Sequence, residues 1–132
     1  MRISQAQINQ LIAHARADHP NECCGLIGSK DGRVSEIFEA INAAASPLRY
    51  ELDPRDLLRI FEELDEKSLD LGAIYHSHTR SAAYPSQTDI NLALYPDSLY
   101  VIVSIAEPDS PDVRAFRIVD RQVTEVPLEV DA

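Results

Sequence analysis

Cysteine is nearly absent from the 132-residue sequence, and the two that occur, Cys23 and Cys24, are neighbours. Adjacent cysteines do not suit a structural disulfide, which excludes a stapled secreted scaffold and points to free thiols in a reducing compartment. They read as small buried residues at the head of a strand, or as thiols beside an active site. No cluster of lysine and arginine interrupts the formal net charge of -10. Such a balance argues against a nucleic-acid partner, because phosphate backbones are held by concentrated positive charge. No apolar run approaches the roughly 18 residues of a membrane helix, and the N-terminus lacks the basic start and hydrophobic stretch of a secretory signal. The expected compartment is the cytoplasm, with no membrane partner. Repeats, linkers and low-complexity tracts are also missing, so residues 1–132 read as one domain.

Enough apolar sequence is present to build a core. Hydrophobic residues make up 45% of the chain, and a domain of this length buries about two-thirds of its unfolded surface. Ser4 and Gln7 form a capping box before Ile8, Leu11, Ile12 and Ala15, predicting a helix from about Ser4 to Asp18 that Pro20 ends. His14 lies off its apolar stripe and reads as solvated. From Cys23 to Gly28 the chain becomes a short apolar strand, with Glu22 at its start, where a glutamate is ordinarily an exposed turn residue.

Asp31-Gly32 predicts a tight hairpin into a strand over Arg33 to Ile41. Asn42 to Pro47 reads as a loop and Leu48 to Leu52 as an extended piece. Asp53-Pro54 then starts a second helix, with Leu57, Ile60, Phe61 and Leu64 on one face and an acidic, solvated surface elsewhere. A strand follows over Leu69 to Tyr75, a short helix over Thr88 to Tyr95 with Leu92 and Leu94 partly buried, and a central strand over Leu99 to Ala106. Val113 to Val119 and Gln122 to Val130 complete the set. This order predicts an α+β fold, a mixed sheet with helices packed on it. No segment demands an oligomer.

The chemistry concentrates between Tyr75 and Asp89. Residues two apart on a strand project from the same face, so His76 and His78 point the same way. Asp89, eleven residues after His78, is placed to return a carboxylate from the first turn of the next helix. Two imidazoles and a carboxylate suit Zn2+ and leave one coordination position open, as in catalytic zinc sites. The competing explanation of Asp89 is local: Ser86-Gln87-Thr88-Asp89 also resembles a helix cap. Water on such a zinc ionises near pH 7 and needs a base to take its proton. Glu22, at the end of a strand able to lie beside the histidines, is the candidate.

Together Glu22, His76-Ser77-His78, Ser86 and Asp89 resemble the JAMM motif of the MPN/JAB1-like metallopeptidase family. The motif is a distant glutamate, His-x-His, and then serine and aspartate eight and eleven residues after the second histidine; every position matches. The resemblance covers nearly the whole chain. It implies a curved mixed sheet flanked by helices, related to the cytidine-deaminase-like architecture. It also implies one Zn2+ held by His76, His78 and Asp89, with Glu22 as acid and base and Ser86 as an oxyanion donor. The substrate it implies is a bond after the C-terminal Gly-Gly of a ubiquitin-like protein. One departure is Thr79, where the family usually has proline. Thr79, Ala83-Tyr84-Pro85-Ser86 and the short chain look most like the bacterial subgroup that releases cysteine from a sulfur-carrier protein.

Two other classes stand beside this reading. A zinc nucleobase deaminase needs His-x-Glu and Pro-Cys-x-x-Cys, and both are missing. A non-catalytic MPN-type module for binding or assembly is the alternative, although such modules typically lose part of the metal set and this chain keeps all of it.

Overall fold

Ser4 ends one element and begins the next. It is the last residue of strand β1 (Arg2–Ser4) and the N-cap of helix α1 (Gln5–Asp18). Its hydroxyl accepts from the Gln7 amide at 3.1 Å, while the Gln7 side chain accepts from the Ser4 amide at 3.0 Å. Two of the donors that a helix start leaves unpaired are thereby satisfied. The three-residue β1 is an element that sequence periodicity does not reveal.

The computed structural model describes residues 1–132. After α1 come β2 (Cys24–Lys30), β3 (Arg33–Ala40), α2 (Pro54–Glu66), β4 (Asp70–His78), α3 (Gln87–Asn91), β5 (Leu99–Ser104), β6 (Asp112–Val119), β7 (Gln122–Val126) and β8 (Glu129–Asp131). Asp31 and Gly32 turn β2 into β3 with φ of 52° and 77°, the pair of positive values that a two-residue hairpin requires. All eight strands form one mixed sheet, in the order β7-β6-β5-β4-β2-β3-β1-β8. No helix is long and apolar enough to cross a membrane.

That strand order forces the sheet to curl. β7 and β8 are its opposite edges, yet only Pro127 and Leu128 separate them in the chain. Three Cα steps reach at most about 11 Å. Seven strand spacings in a flat sheet would cover roughly 34 Å. The edges therefore approach each other, as the resemblance to a curved-sheet family implied.

β4 and β5 run parallel at the centre, and β5 is buried throughout. On one face Ala73, Tyr75, Val101 and Val103 pack with Ile8, Leu11 and Ala15 of α1. On the other, Ile74 and Tyr100 join Leu26, Ile60 and Leu64, so that α2 covers that side. Burying one such aliphatic side chain is worth about 1.5–3 kcal/mol. Gly25 is required by closeness: a Cβ there would run into the Phe38 carbonyl and the Tyr75 ring.

Several expectations change. The strand over Leu69 to Tyr75 runs on through His78, which puts both histidines inside the ladder. The helix expected over Thr88 to Tyr95 stops at Asn91, and Leu92 and Leu94 are 61% and 77% exposed. Apolar residues there gave a helical pattern, but they turn outward. Gln122 to Val130 is two strands because Pro127 interrupts the ladder. Leu48 to Leu52 contributes only an isolated bridge between Asn42 and Leu52. His14 is not solvated: it is buried, and its Nδ1 lies 2.7 Å from the Tyr75 hydroxyl.

Candidate metal centre

His76 and His78 lie on the α2 face of β4 with Ile74, and both are buried. Loop 79–86 then returns the chain over them. Ser104 Oγ donates to the Ser81 carbonyl at 2.6 Å, Ala83 is buried against Ile102 and Phe116, and the Tyr84 ring meets Phe116 edge-on. Thr79 donates to the Pro47 carbonyl at 3.4 Å, a bond that proline could not make. The loop ends at Ser86, whose hydroxyl accepts from the Asp89 amide at 3.1 Å. In return the Ser86 amide donates to Asp89 Oδ2 at 2.9 Å. Asp89 is thus a capping residue, as its spacing suggested, and its carboxylate is also turned toward the histidines.

Three atoms converge there. Asp89 Oδ2 lies 3.0 Å from His76 Nε2 and 3.0 Å from His78 Nε2, and the two nitrogens are 3.2 Å apart. Tetrahedral zinc with bonds of about 2.0–2.1 Å sets its ligand atoms roughly 3.3–3.4 Å apart, close to this triangle. The donor chemistry points the same way. His78 Nδ1 donates to the Ala82 carbonyl at 2.8 Å, so in neutral His78 the Nε2 lone pair faces the Asp89 oxygen. Lone pairs facing one another need positive charge between them, either a proton on the rings or a metal ion. His76, His78 and Asp89 form a buried group able to hold a metal ion.

The charges fit this account. Burial opposes ionisation of Asp89, yet the hydrogen bonds from His76 and His78 prevail and hold its carboxyl well below the usual carboxylate range. Burial pushes the His76 imidazole down. For His78, burial also pulls downward, but the bonds to Asp89 and Ala82 outweigh it and the ring is shifted up.

Glu22 stands immediately before β2. Cys24 pairs with His76, so continuing this antiparallel register by two residues sets Glu22 opposite His78 on the same face. It is only 4% exposed, against the surface position normal for glutamate, and its Oε1 is buried without a hydrogen-bond partner. Burial pushes its carboxyl up to about 8; nearby His78 opposes this and Asp89 adds to it. A buried carboxyl with an unpartnered oxygen beside this triangle suits proton transfer. Ser86 is exposed, and because its oxygen accepts from the Asp89 amide its hydroxyl proton is free to donate outward.

A cavity of about 430 Å³ borders Asp89, lined by Tyr50, Leu52, Leu57, Leu92, Leu94 and Tyr95 among others. The outward turn of Leu92 and Leu94 is therefore spent on a groove. Cys23 and Cys24 are buried, with thiols pushed up to about 12 chiefly by burial, which disfavours the reactive thiolate.

The family model for prokaryotic homologs of the JAB domain matches residues 4–119. This chain belongs to that family. Among relatives of the JAB-domain protein, the CysO-cysteine peptidase of Mycobacterium tuberculosis is 42% identical over 125 residues, 93% of this chain and 86% of the relative. The desampylase of Haloferax volcanii is 37% identical over 103 residues, 73% of this chain and 74% of the relative. A probable TtuB-protein conjugate cleaving protease of Thermus thermophilus is 33% identical over 121 residues, 91% and 77% of the two chains. Among solved structures, protein DSY2949 of Desulfitobacterium hafniense superposes with a TM-score of 0.90 at 32% identity, covering 98% of this chain and 92% of that one. A structure described as JAMM, a metalloprotease-like zinc site in the proteasome and signalosome, shares the fold at a TM-score of 0.60 and 21% identity, covering 100% and 98%. The JAB-domain protein is a JAMM-type hydrolase, which displaces the reading as a binding module alone.

Sequence reasoning missed two residues. Tyr50 stacks on the His76 ring at 4.3 Å between centroids, and buried Asn42 hydrogen-bonds the Glu22 carbonyl at 3.0 Å. Neither belongs to the motif, and an aromatic and an asparagine in a loop carried no periodic signal.

Proposed function

We propose that this chain is a single-domain, cytoplasmic zinc peptidase that cuts after the C-terminal Gly-Gly of a ubiquitin-like sulfur-carrier protein, releasing cysteine from its conjugate. The observation that carries the reading is the three-atom convergence of His76, His78 and Asp89 beside the unpartnered carboxyl of Glu22. Similarity to a CysO-cysteine peptidase and to a probable TtuB-protein conjugate cleaving protease supports the substrate class. The groove beside Asp89 has the apolar lining and the volume to receive an extended chain terminus.

His76 Nε2, His78 Nε2 and Asp89 Oδ2 would hold the Zn2+. Bound there, zinc supplies a Lewis acid for the scissile carbonyl, a lowered pKa for a water, and positive charge that offsets the burial of Glu22. Glu22 takes a proton from the attacking water as its oxygen adds to the glycine carbonyl carbon. The Ser86 hydroxyl donates to the oxygen that gains negative charge, a contribution worth about 10²–10³ in rate where such donors have been removed. Glu22 then delivers the proton to the departing amine as the carbon–nitrogen bond breaks, leaving a carboxylate on the carrier and a free amino group on cysteine.

The test is metal analysis of the purified protein together with mass-spectrometric detection of cysteine released from a carrier–cysteine conjugate. Glu22→Gln should keep the metal and lose about 10²–10⁴ in rate. Undiminished turnover by that variant would remove Glu22 from the mechanism.

A further inference from the structure

The two histidines are not held alike. His78 has its Nδ1 fixed by the Ala82 carbonyl, whereas Nδ1 of His76 is buried and has no hydrogen-bond partner. A metal-binding imidazole ordinarily has its second nitrogen tied to an oxygen, which sets the ring's plane and tautomer. Lacking that bond, the plane of His76 is held only at Nε2 by Asp89 and by what packs on the ring, since rotamer preferences at the terminal torsion are broad.

What His76 has is a ring against its face. Tyr50 stacks on it at 4.3 Å between centroids, with the planes 20° apart. Tyr50 comes from an irregular loop, so the stack positions the imidazole only if the loop is itself held. Buried Asn42 holds it on both sides of Tyr50: its amide donates to the Arg49 carbonyl at 3.1 Å, and its Oδ1 accepts from the Glu51 amide at 2.9 Å. The same amide donates to the Glu22 carbonyl at 3.0 Å. One side chain thus ties the backbone carrying the stacking ring to the backbone carrying the carboxyl.

We propose that Tyr50, clamped by Asn42, is the positioning residue for His76, its ring face replacing the hydrogen bond that this imidazole lacks. The proposal rests on the reading of His76, His78 and Asp89 as the zinc set. Phenylalanine keeps the stacking face, whereas leucine keeps apolar volume without a plane. The role therefore separates in metal affinity rather than in folding.

Zinc affinity by chelator competition, the visible absorption of the cobalt(II)-substituted protein and thermal unfolding of the metal-free form are measured for wild type, Tyr50→Phe and Tyr50→Leu. Tyr50→Phe should match wild type in affinity and cobalt spectrum. Tyr50→Leu should bind zinc about 10–100-fold more weakly and show an altered cobalt band, while its metal-free form still unfolds in one cooperative transition. Tyr50→Met, which fills the space with a flexible chain, serves in its place should the leucine variant fail to fold. Wild-type affinity and an unaltered cobalt band in the leucine or methionine variant would overturn the role of Tyr50 alone. A wild-type protein that takes up no zinc would overturn the zinc reading as well.

Discussion

The Ala82 carbonyl accepts the Nδ1 proton of His78 at 2.8 Å and so decides which nitrogen faces Asp89. Loop 79–86 therefore does more than connect β4 to α3. It selects the tautomer of one candidate ligand and delivers the carboxylate of another.

Asp89 serves both as helix cap and as candidate ligand, and asparagine separates the two. Asp89→Asn keeps an oxygen able to accept from the Ser86 amide but loses the negative charge at the triangle. The metal-free variant should keep its cap and still fold, losing the stabilisation the carboxylate draws from His76 and His78, while metal content after purification falls to background. Full metal occupancy in that variant would leave Asp89 as a cap only.

Glu22 makes the metal-free protein sensitive to pH. Its carboxyl is raised in the folded state from 4.5 to about 8, so between these values the folded chain keeps a proton that the unfolded chain has lost. Stability from this group is fully present below 4.5 and is lost as pH rises toward about 8, beyond which the penalty is constant. Denaturant unfolding of chelator-treated wild type and Glu22→Gln across pH 4 to 9 should show the glutamine variant gaining on wild type through that window. Parallel curves would mean that the Glu22 carboxyl titrates normally.

Ser86 is the third test. Ser86→Ala removes an N-cap, for about 0.5–2 kcal/mol of stability, and in the proposed mechanism also removes an oxyanion donor. Turnover should fall by about 10²–10³ with metal content retained. A loss confined to thermal stability, with normal kcat, would make Ser86 a cap alone.

Much of this site was legible because the motif lies on local periodicities. Alternation along β4 aligns His76 with His78, and a capping pattern places Asp89 at the first turn of α3. The remainder depends on contacts between distant segments. Glu22 looks like a surface glutamate until the pairing of Cys24 with His76 draws it under cover. His14 looked solvated because nothing near it in the chain announces Tyr75, and Tyr50 reaches His76 only through a loop clamp. The end of α3 was misjudged because Leu92 and Leu94 are apolar for the sake of a groove, not a core.

Pro127 and Leu128 have a meaning beyond topology. An open sheet ends in two rows of unpaired peptide groups, which invite other chains to add strands. Here the rows are drawn to one flank of the molecule. The N-terminal strand is secured there through the Met1 amino group on the Pro127 carbonyl at 3.2 Å and the Glu129 amide on the Met1 carbonyl at 2.9 Å. Both free edges, β7 and β8, thus lie outside the segments that carry Glu22, His76, His78 and Asp89.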